Sequence, residues 1–221
     1  MARQKQLRFA ALRHMSNVID GHGCHTGWFE HTFGRSNPVV VELGCGRGEY
    51  TLASARRWPG RAFLGVDRNG GRLWTGASTA LDEGLANAFF LHTPIERLED
   101  HVPPGRIAEL WIPFPDPLQK RRQSQHRLVS PGFLEQYRAL LTRGGSIRLT
   151  TDDAQLVAFA ERAVRTVGGH LLTGSDHLPA DRDEAAVQTA YERKYRRQGR
   201  TIYERQFALT DVTSPSTMEV S

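Results

Sequence analysis

The stretch Val39-Val40-Val41-Glu42-Leu43-Gly44-Cys45-Gly46-Arg47-Gly48-Glu49-Tyr50 constrains the fold more than any other. Three β-branched residues run into an acid, Glu42, and glycine then falls at every second position before a helical pattern begins. A continuous apolar run of this length is how a strand buried in a parallel sheet reads. The glycines let the backbone turn sharply and come close to a ligand at the N-terminus of the following helix. Residues 61–67, Arg-Ala-Phe-Leu-Gly-Val-Asp, repeat the strand pattern and end in Asp67, nineteen residues beyond Gly48. About 20 residues is the spacing at which a doubly wound fold sets an acid against a ribose.

The glycine spacing separates two cofactor classes. A dinucleotide fingerprint reads Gly-x-Gly-x-x-Gly and seats a pyrophosphate on the helix N-terminus. Here Gly44, Gly46 and Gly48 read Gly-x-Gly-x-Gly directly after Glu42. This resembles motif I of class I S-adenosylmethionine-dependent methyltransferases. S-adenosyl-L-methionine carries an amino-acid tail and a ribose but no phosphate, so acidic neighbours are tolerable beside it. The bland alternative, a strand-to-helix turn with no ligand, is weaker once Glu42, the three glycines and Asp67 are taken together. The same spacing disfavours a nicotinamide oxidoreductase.

At 221 residues the chain can bury a full core, and one large domain is expected. Net charge is +5, which suits a polyanionic partner. Cys24 and Cys45 form no ligand-spaced pair, which points to a reducing compartment without a disulfide framework. His22, Cys24 and His25 match no common zinc spacing, and no metal is expected. No apolar run approaches the roughly 20 residues that span a bilayer, and the basic start lacks a signal-peptide core. A cytoplasmic protein with no membrane partner follows; monomer and homodimer both stay open.

Along the chain, residues 1–37 read as a basic N-terminal arm and a Gly/His-rich lead-in. From residue 38 strand and helix patterns alternate, with strands expected at 39–43, 61–67, 88–92, 107–112, 146–151, 170–173 and 201–209. Ser130-Pro131 reads as a helix N-cap and first turn, and Asp152-Asp153 as the start of another helix. The expected fold is α/β: a Rossmann-like, doubly wound, mostly parallel sheet of about seven strands with helices on both faces, over residues 38–210. Residues 211–221 read as a disordered tail.

In open α/β sheets ligands sit beyond the carboxyl ends of the strands. The fourth strand pattern runs into Pro113-Phe114-Pro115-Asp116-Pro117, with Lys120-Arg121-Arg122, His126 and Arg127 beyond. Prolines hold a carboxylate while a basic cluster stands beside it. A second cluster, Arg193, Lys194, Arg196, Arg197 and Arg200, lies near the C-terminus. Solvated loops and helix faces read the same way, and charge alone does not choose between them.

Three segments resemble the tRNA (guanine-N7-)-methyltransferases. The first joins Glu42-Leu43-Gly44-Cys45-Gly46-Arg47-Gly48 to Gly65-Val66-Asp67. The second is Phe114-Pro115-Asp116-Pro117 with Lys120 and Arg127-Leu128. The third joins Thr151-Asp152 to Thr189-Ala190-Tyr191-Glu192 and Gly199…Ile202-Tyr203-Glu204. The resemblance implies methyl transfer from S-adenosyl-L-methionine to N7 of a guanine in the variable loop of tRNA. It further implies that Glu42, Gly44, Gly46, Gly48, Asp67 and Asp116 bind the cofactor and that Asp116 is the active-site acid. Lys120, Asp152, Thr189, Ala190, Tyr191 and Glu192 would meet the substrate. Two positions depart from the family pattern. Leu118 stands where a Trp is usual, and His92-Thr93-Pro94 stands where an acid usually follows the third strand. A non-catalytic RNA-binding relative and a methyltransferase of another substrate are the alternatives to be weighed.

Overall fold

The computed structural model describes residues 10–21, 23, 27–34, 37–179 and 189–209. Eight strands form one sheet: β1 (Val18–Asp20), β2 (Val39–Leu43), β3 (Ala62–Asp67), β4 (Ala88–His92), β5 (Ile107–Pro113), β6 (Leu141–Thr151), β7 (His170–Ser175) and β8 (Tyr203–Ala208). Their order across the sheet is β1-β4-β3-β2-β5-β6-β8-β7. Every pairing from β1 to β6 is parallel, and β8 runs antiparallel to both β6 and β7. Six helices are described along their whole length: α1 (Trp28–Phe33), α2 (Glu49–Arg57), α3 (Gly70–Asp82), α4 (Pro131–Leu140), α5 (Ala154–Thr166) and α6 (Ala190–Arg197).

The doubly wound arrangement follows from the strand alternation. In β2, Val39, Val41 and Leu43 join a core cluster that holds side chains of α1, α4 and α5. Val40, one residue out of phase, joins the opposite cluster with side chains of α2 and α3. Successive side chains of a strand point to opposite faces, so a strand buried on both faces must be apolar throughout. All five residues of β2 are buried, Glu42 among them.

The seven expected strands are present, and an eighth lies in the lead-in. Val18–Asp20 is too short to show a period, yet it pairs in parallel with β4 at the sheet edge. Trp28, Phe29 and Phe33 of α1 are buried in the core. β6 begins at Leu141, before the Gly144-Gly145 pair whose composition suggests a loop. Ser130 does precede α4, but its hydroxyl donates to the Gln125 carbonyl at 3.0 Å and does not cap the helix. The arm at residues 1–9, the group His22, Cys24 and His25, and the tail at 211–221 lie outside the described residues. Among the described residues, no helix is long and apolar enough to cross a membrane.

Candidate active site

The C-terminal ends of the parallel strands β3, β2, β5 and β6 lie side by side, and the loops leaving them form the site. The glycine loop after β2 is pinned to its neighbour, because the Gly44 and Cys45 amides both donate to the Val66 carbonyl, at 2.8 and 3.1 Å. Gly44, Gly46 and Gly48 all have positive φ, at 70°, 58° and 69°. Their surroundings differ. A Cβ at Gly44 or Gly46 would meet nothing within 4 Å, so both face open space. A Cβ at Gly48 would lie 2.5 Å from the Phe90 ring. Two glycines therefore open the loop towards a ligand, and the third lets α2 pack onto the sheet.

Asp67 ends β3 half-buried, accepting from the Gly46 amide at 2.9 Å and the Asn69 amide at 2.7 Å, one on each carboxylate oxygen. Each oxygen keeps a lone pair for a further donor. Glu42 lies beneath the glycine loop. Its Oε2 accepts from the Thr51 amide at 2.9 Å and the Thr51 hydroxyl at 2.5 Å. Gly48 has no side chain with which to cap α2, and Glu42 performs that task from the strand below. Burial pushes the Glu42 carboxyl up to about 8, against the lowering effect of the Thr51 bonds. Only Oε1 is left for a ligand.

The loop after β5 is strained. Phe114 and Leu118 are the non-glycine residues with positive φ among those described, at 49° and 43°. Such residues cost about 1–3 kcal/mol each and persist only where surrounding contacts hold them. Those contacts are visible. The Phe114 amide donates to the Thr150 carbonyl at 2.7 Å, and the Leu118 amide donates to Asp116 Oδ1 at 3.1 Å. Arg127 Nε and Nη2 donate to the carbonyls of Pro117 and Leu118, at 2.9 and 3.2 Å, while its guanidinium sits 4.3 Å over the Phe159 ring. Arg127 is thus a clamp for this loop. Leu118 occupies the second strained position of the turn.

A cavity of about 580 Å³ opens where this loop meets the end of β6 and the helix α6. Asp116 and Asp152 both line it, with Phe114, Tyr195 and Arg200. Asp152 is paired with Arg200, whose guanidinium stacks 4.9 Å over the Tyr195 ring. Asp153 caps α5 by accepting from the Leu156 amide at 2.9 Å. The Thr189-to-Glu192 segment serves first as a helix start, since the Thr189 hydroxyl accepts from the Glu192 amide at 3.1 Å. The Glu192 carboxylate is buried against Arg196 at 2.7 Å. Lys120 stands exposed just before a 3-10 turn, Arg121–His126, outside the cavity lining. Arg193, on the opposite side of α6, lies 3.9 Å from Glu49 at the start of α2. One helix therefore lines the cavity and reaches the start of α2, the residue after Gly48.

A family profile described as "Putative methyltransferase" matches residues 36–205. The chain is 36% identical over 179 residues to the tRNA (guanine-N(7)-)-methyltransferase of Christiangramia forsetii, covering 79% of this chain and 80% of that one. The chain belongs to this methyltransferase family. The enzyme of the same name from Cytophaga hutchinsonii is 32% identical over 208 residues, covering 90% of this chain and 94% of its own. In fold, the chain is similar to the crystal structure of the 16S rRNA methyltransferase KamB. The TM-score is 0.65 at 18% identity, over 83% of this chain and 93% of that one.

S-adenosylmethionine is the cofactor of this methyltransferase family, and the glycine-loop residues fit it. Open space beside Gly44 and Gly46 admits a ligand against bare backbone. Asp67 keeps lone pairs on both oxygens for two adjacent hydroxyls. Tyr195 is a cavity residue outside every motif read from the sequence, and its one signal there is its place four residues after Tyr191, on the same helix face. Arg200, read from the sequence only as part of a basic cluster, lines the same cavity.

Proposed function

We propose that the protein transfers the methyl group of S-adenosylmethionine to N7 of a guanine in the variable loop of tRNA, in the cytoplasm. The observation that carries this reading is the reach of α6: Arg193 meets Glu49, the residue after Gly48, and Tyr195 lines the Asp116–Asp152 cavity. A methyl donor held at Gly44, Gly46 and Asp67 then lies beside a chamber built for a base.

The chemistry suits the side chains. Guanine N7 has a lone pair and no proton, so no base is needed to activate it. The S–CH₃ bond breaks as the N7–CH₃ bond forms, and positive charge passes from sulfur to the purine. S-adenosylhomocysteine and N7-methylguanine are left. Two things must be supplied. One is alignment of nucleophile and methyl group, worth up to about 7–11 kcal/mol. The other is negative charge beside a purine that is becoming cationic. Asp116, held on a strained, clamped turn, provides the second. With no proton on N7 to remove, Asp116 has an electrostatic task and not that of a general base.

Incubation with labelled S-adenosylmethionine and bulk unmodified tRNA, followed by nucleoside analysis, tests the proposal. Label in 7-methylguanosine is the expected result. Label in another nucleoside would move the substrate, and no transfer would leave an RNA-binding protein without turnover.

A further inference from the structure

In the cavity beside Asp116, Tyr195 and Arg200 line the wall without a task in the methyl-transfer step described above. Tyr195 forms its aromatic wall, with ring centroids 5.5 Å from Phe114 and 6.3 Å from Tyr191. Phe114 is fixed there by its own strained backbone, at φ 49°. The Arg200 guanidinium lies 4.9 Å over the Tyr195 ring and is ion-paired with Asp152. The Arg200 backbone is tied in as well, its amide donating to the Tyr195 carbonyl at 3.0 Å. The side chains differ in freedom: Arg200 is 53% exposed and Asp152 only 16%.

We infer that Tyr195 is the platform on which the target guanine stacks, and that Arg200 covers this platform and Asp152 until RNA arrives. This deepens the guanine-N7 reading and rests on it. A guanidinium over a ring and a purine over a ring satisfy the same aromatic face. A base extruded from an RNA loop needs such a face and a partner for its Watson–Crick edge. Guanine presents two donors there, N1–H and N2–H₂, and a carboxylate presents two acceptors. Adenine presents one donor beside an acceptor and matches a carboxylate less well. Asp152, once released, is that carboxylate.

Arg200 is suited to leave. A half-exposed ion pair contributes little net free energy, because water competes for both ends. A phosphate matches the guanidinium fork as well as a carboxylate does. On binding, Arg200 exchanges Asp152 for a backbone phosphate. The ring and the carboxylate are then uncovered in the presence of RNA.

Single-turnover methylation of unmodified tRNA, at saturating cofactor and with protein and tRNA below the dissociation constant of their complex, tests the inference, with cofactor affinity from calorimetry as the measure of an intact fold. Tyr195→Leu keeps bulk without an aromatic face and is expected to slow transfer about 10- to 100-fold at subsaturating tRNA, as loss of one base stack does. Tyr195→Phe restores the face and should recover most of that loss. Arg200→Gln is expected to lower the log–log salt slope of tRNA binding by the share of a single neutralised phosphate, about 0.7–0.9. Transfer by Tyr195→Leu at the parent rate, with cofactor affinity intact, overturns the platform. Equal damage from Phe and Leu overturns it too, because the hydroxyl would then be the working group. An unchanged slope in Arg200→Gln overturns the exchange. If the parent protein transfers no methyl to tRNA guanine, the function reading itself falls and takes this inference with it.

Discussion

Gly46 and Gly48 look alike in sequence and do different work. Both hold positive φ, but only Gly48 is packed, against the Phe90 ring. Gly48→Ala is expected to destabilise the protein by about 1–3 kcal/mol, from backbone strain and the clash together. Gly46→Ala introduces the strain alone and should keep more of the fold while losing affinity for S-adenosylmethionine. Thermal melts paired with calorimetry separate the two. Asp116 invites the sharpest substitution at this scale. Asp116→Asn preserves the turn, because both residues accept from the Leu118 amide, but removes the charge. Turnover should fall by about 10²–10³ with cofactor affinity retained. Transfer near the parent rate in single-turnover kinetics would move the active-site acid elsewhere in the cavity.

Glu42 adds a pH dependence with a definite sign. Its carboxyl is raised from 4.5 to about 8 by burial, so the folded protein binds a proton that the unfolded chain has released. Stability from this group therefore falls as pH rises from about 4.5 to about 8 and is level above that. Glu42→Gln lacks the effect. The gap in unfolding free energy between Gln variant and parent should move in favour of Gln across that window, by roughly a few kcal/mol. A gap that does not change with pH would mean that Glu42 is ionised in the folded state.

At the scale of elements, α6 is the helix on which the site depends, and it is a short one. It has eight residues, and most of its surface is exposed. Helices this short are marginal without caps and packing. Thr189 supplies the cap and the buried Glu192–Arg196 pair supplies an anchor. Thr189→Ala should cost about 1 kcal/mol and raise amide exchange over the first turn of α6. Thr189→Asp, an equally good N-cap, is the informative partner variant. If it restores both protection and methyl transfer, Thr189 acts through the helix; if protection returns without activity, the hydroxyl meets the substrate.

For the whole molecule, electrostatics set the expected RNA affinity, and the structure redistributes the two basic clusters read from sequence. Arg127, Arg196 and Arg200 are engaged with protein partners, whereas Lys120, Arg121 and Arg122 stand exposed. Charge reversal at Lys120, Arg121 and Arg122 should weaken tRNA binding and reduce its log–log salt slope by about 0.7–0.9 for every phosphate no longer neutralised. Arg127→Ala should instead release the Asp116 loop and lower turnover with little change in slope. A slope near zero in the parent protein would remove the polyanion from the account.

The sequence by itself determined the β2 strand, the glycine loop, Asp67 and the alternation that makes a doubly wound sheet. These are local signals: a run of apolar residues, a spacing of glycines and a period, each readable within about twenty residues. It also located Asp116 between two prolines. Only the tertiary structure decided which like residues do which work. β1 is three residues long and exists because β4 offers it an edge. Asp116 and Asp152 share one cavity because β5 and β6 are parallel neighbours, which no spacing along the chain reveals. Arg127 and Arg200 are both arginines in basic stretches, yet one clamps a strained turn and the other covers a carboxylate. Charge runs along the chain record how many cations there are; which of them face solvent depends on the carbonyls, rings and carboxylates that folding brings alongside.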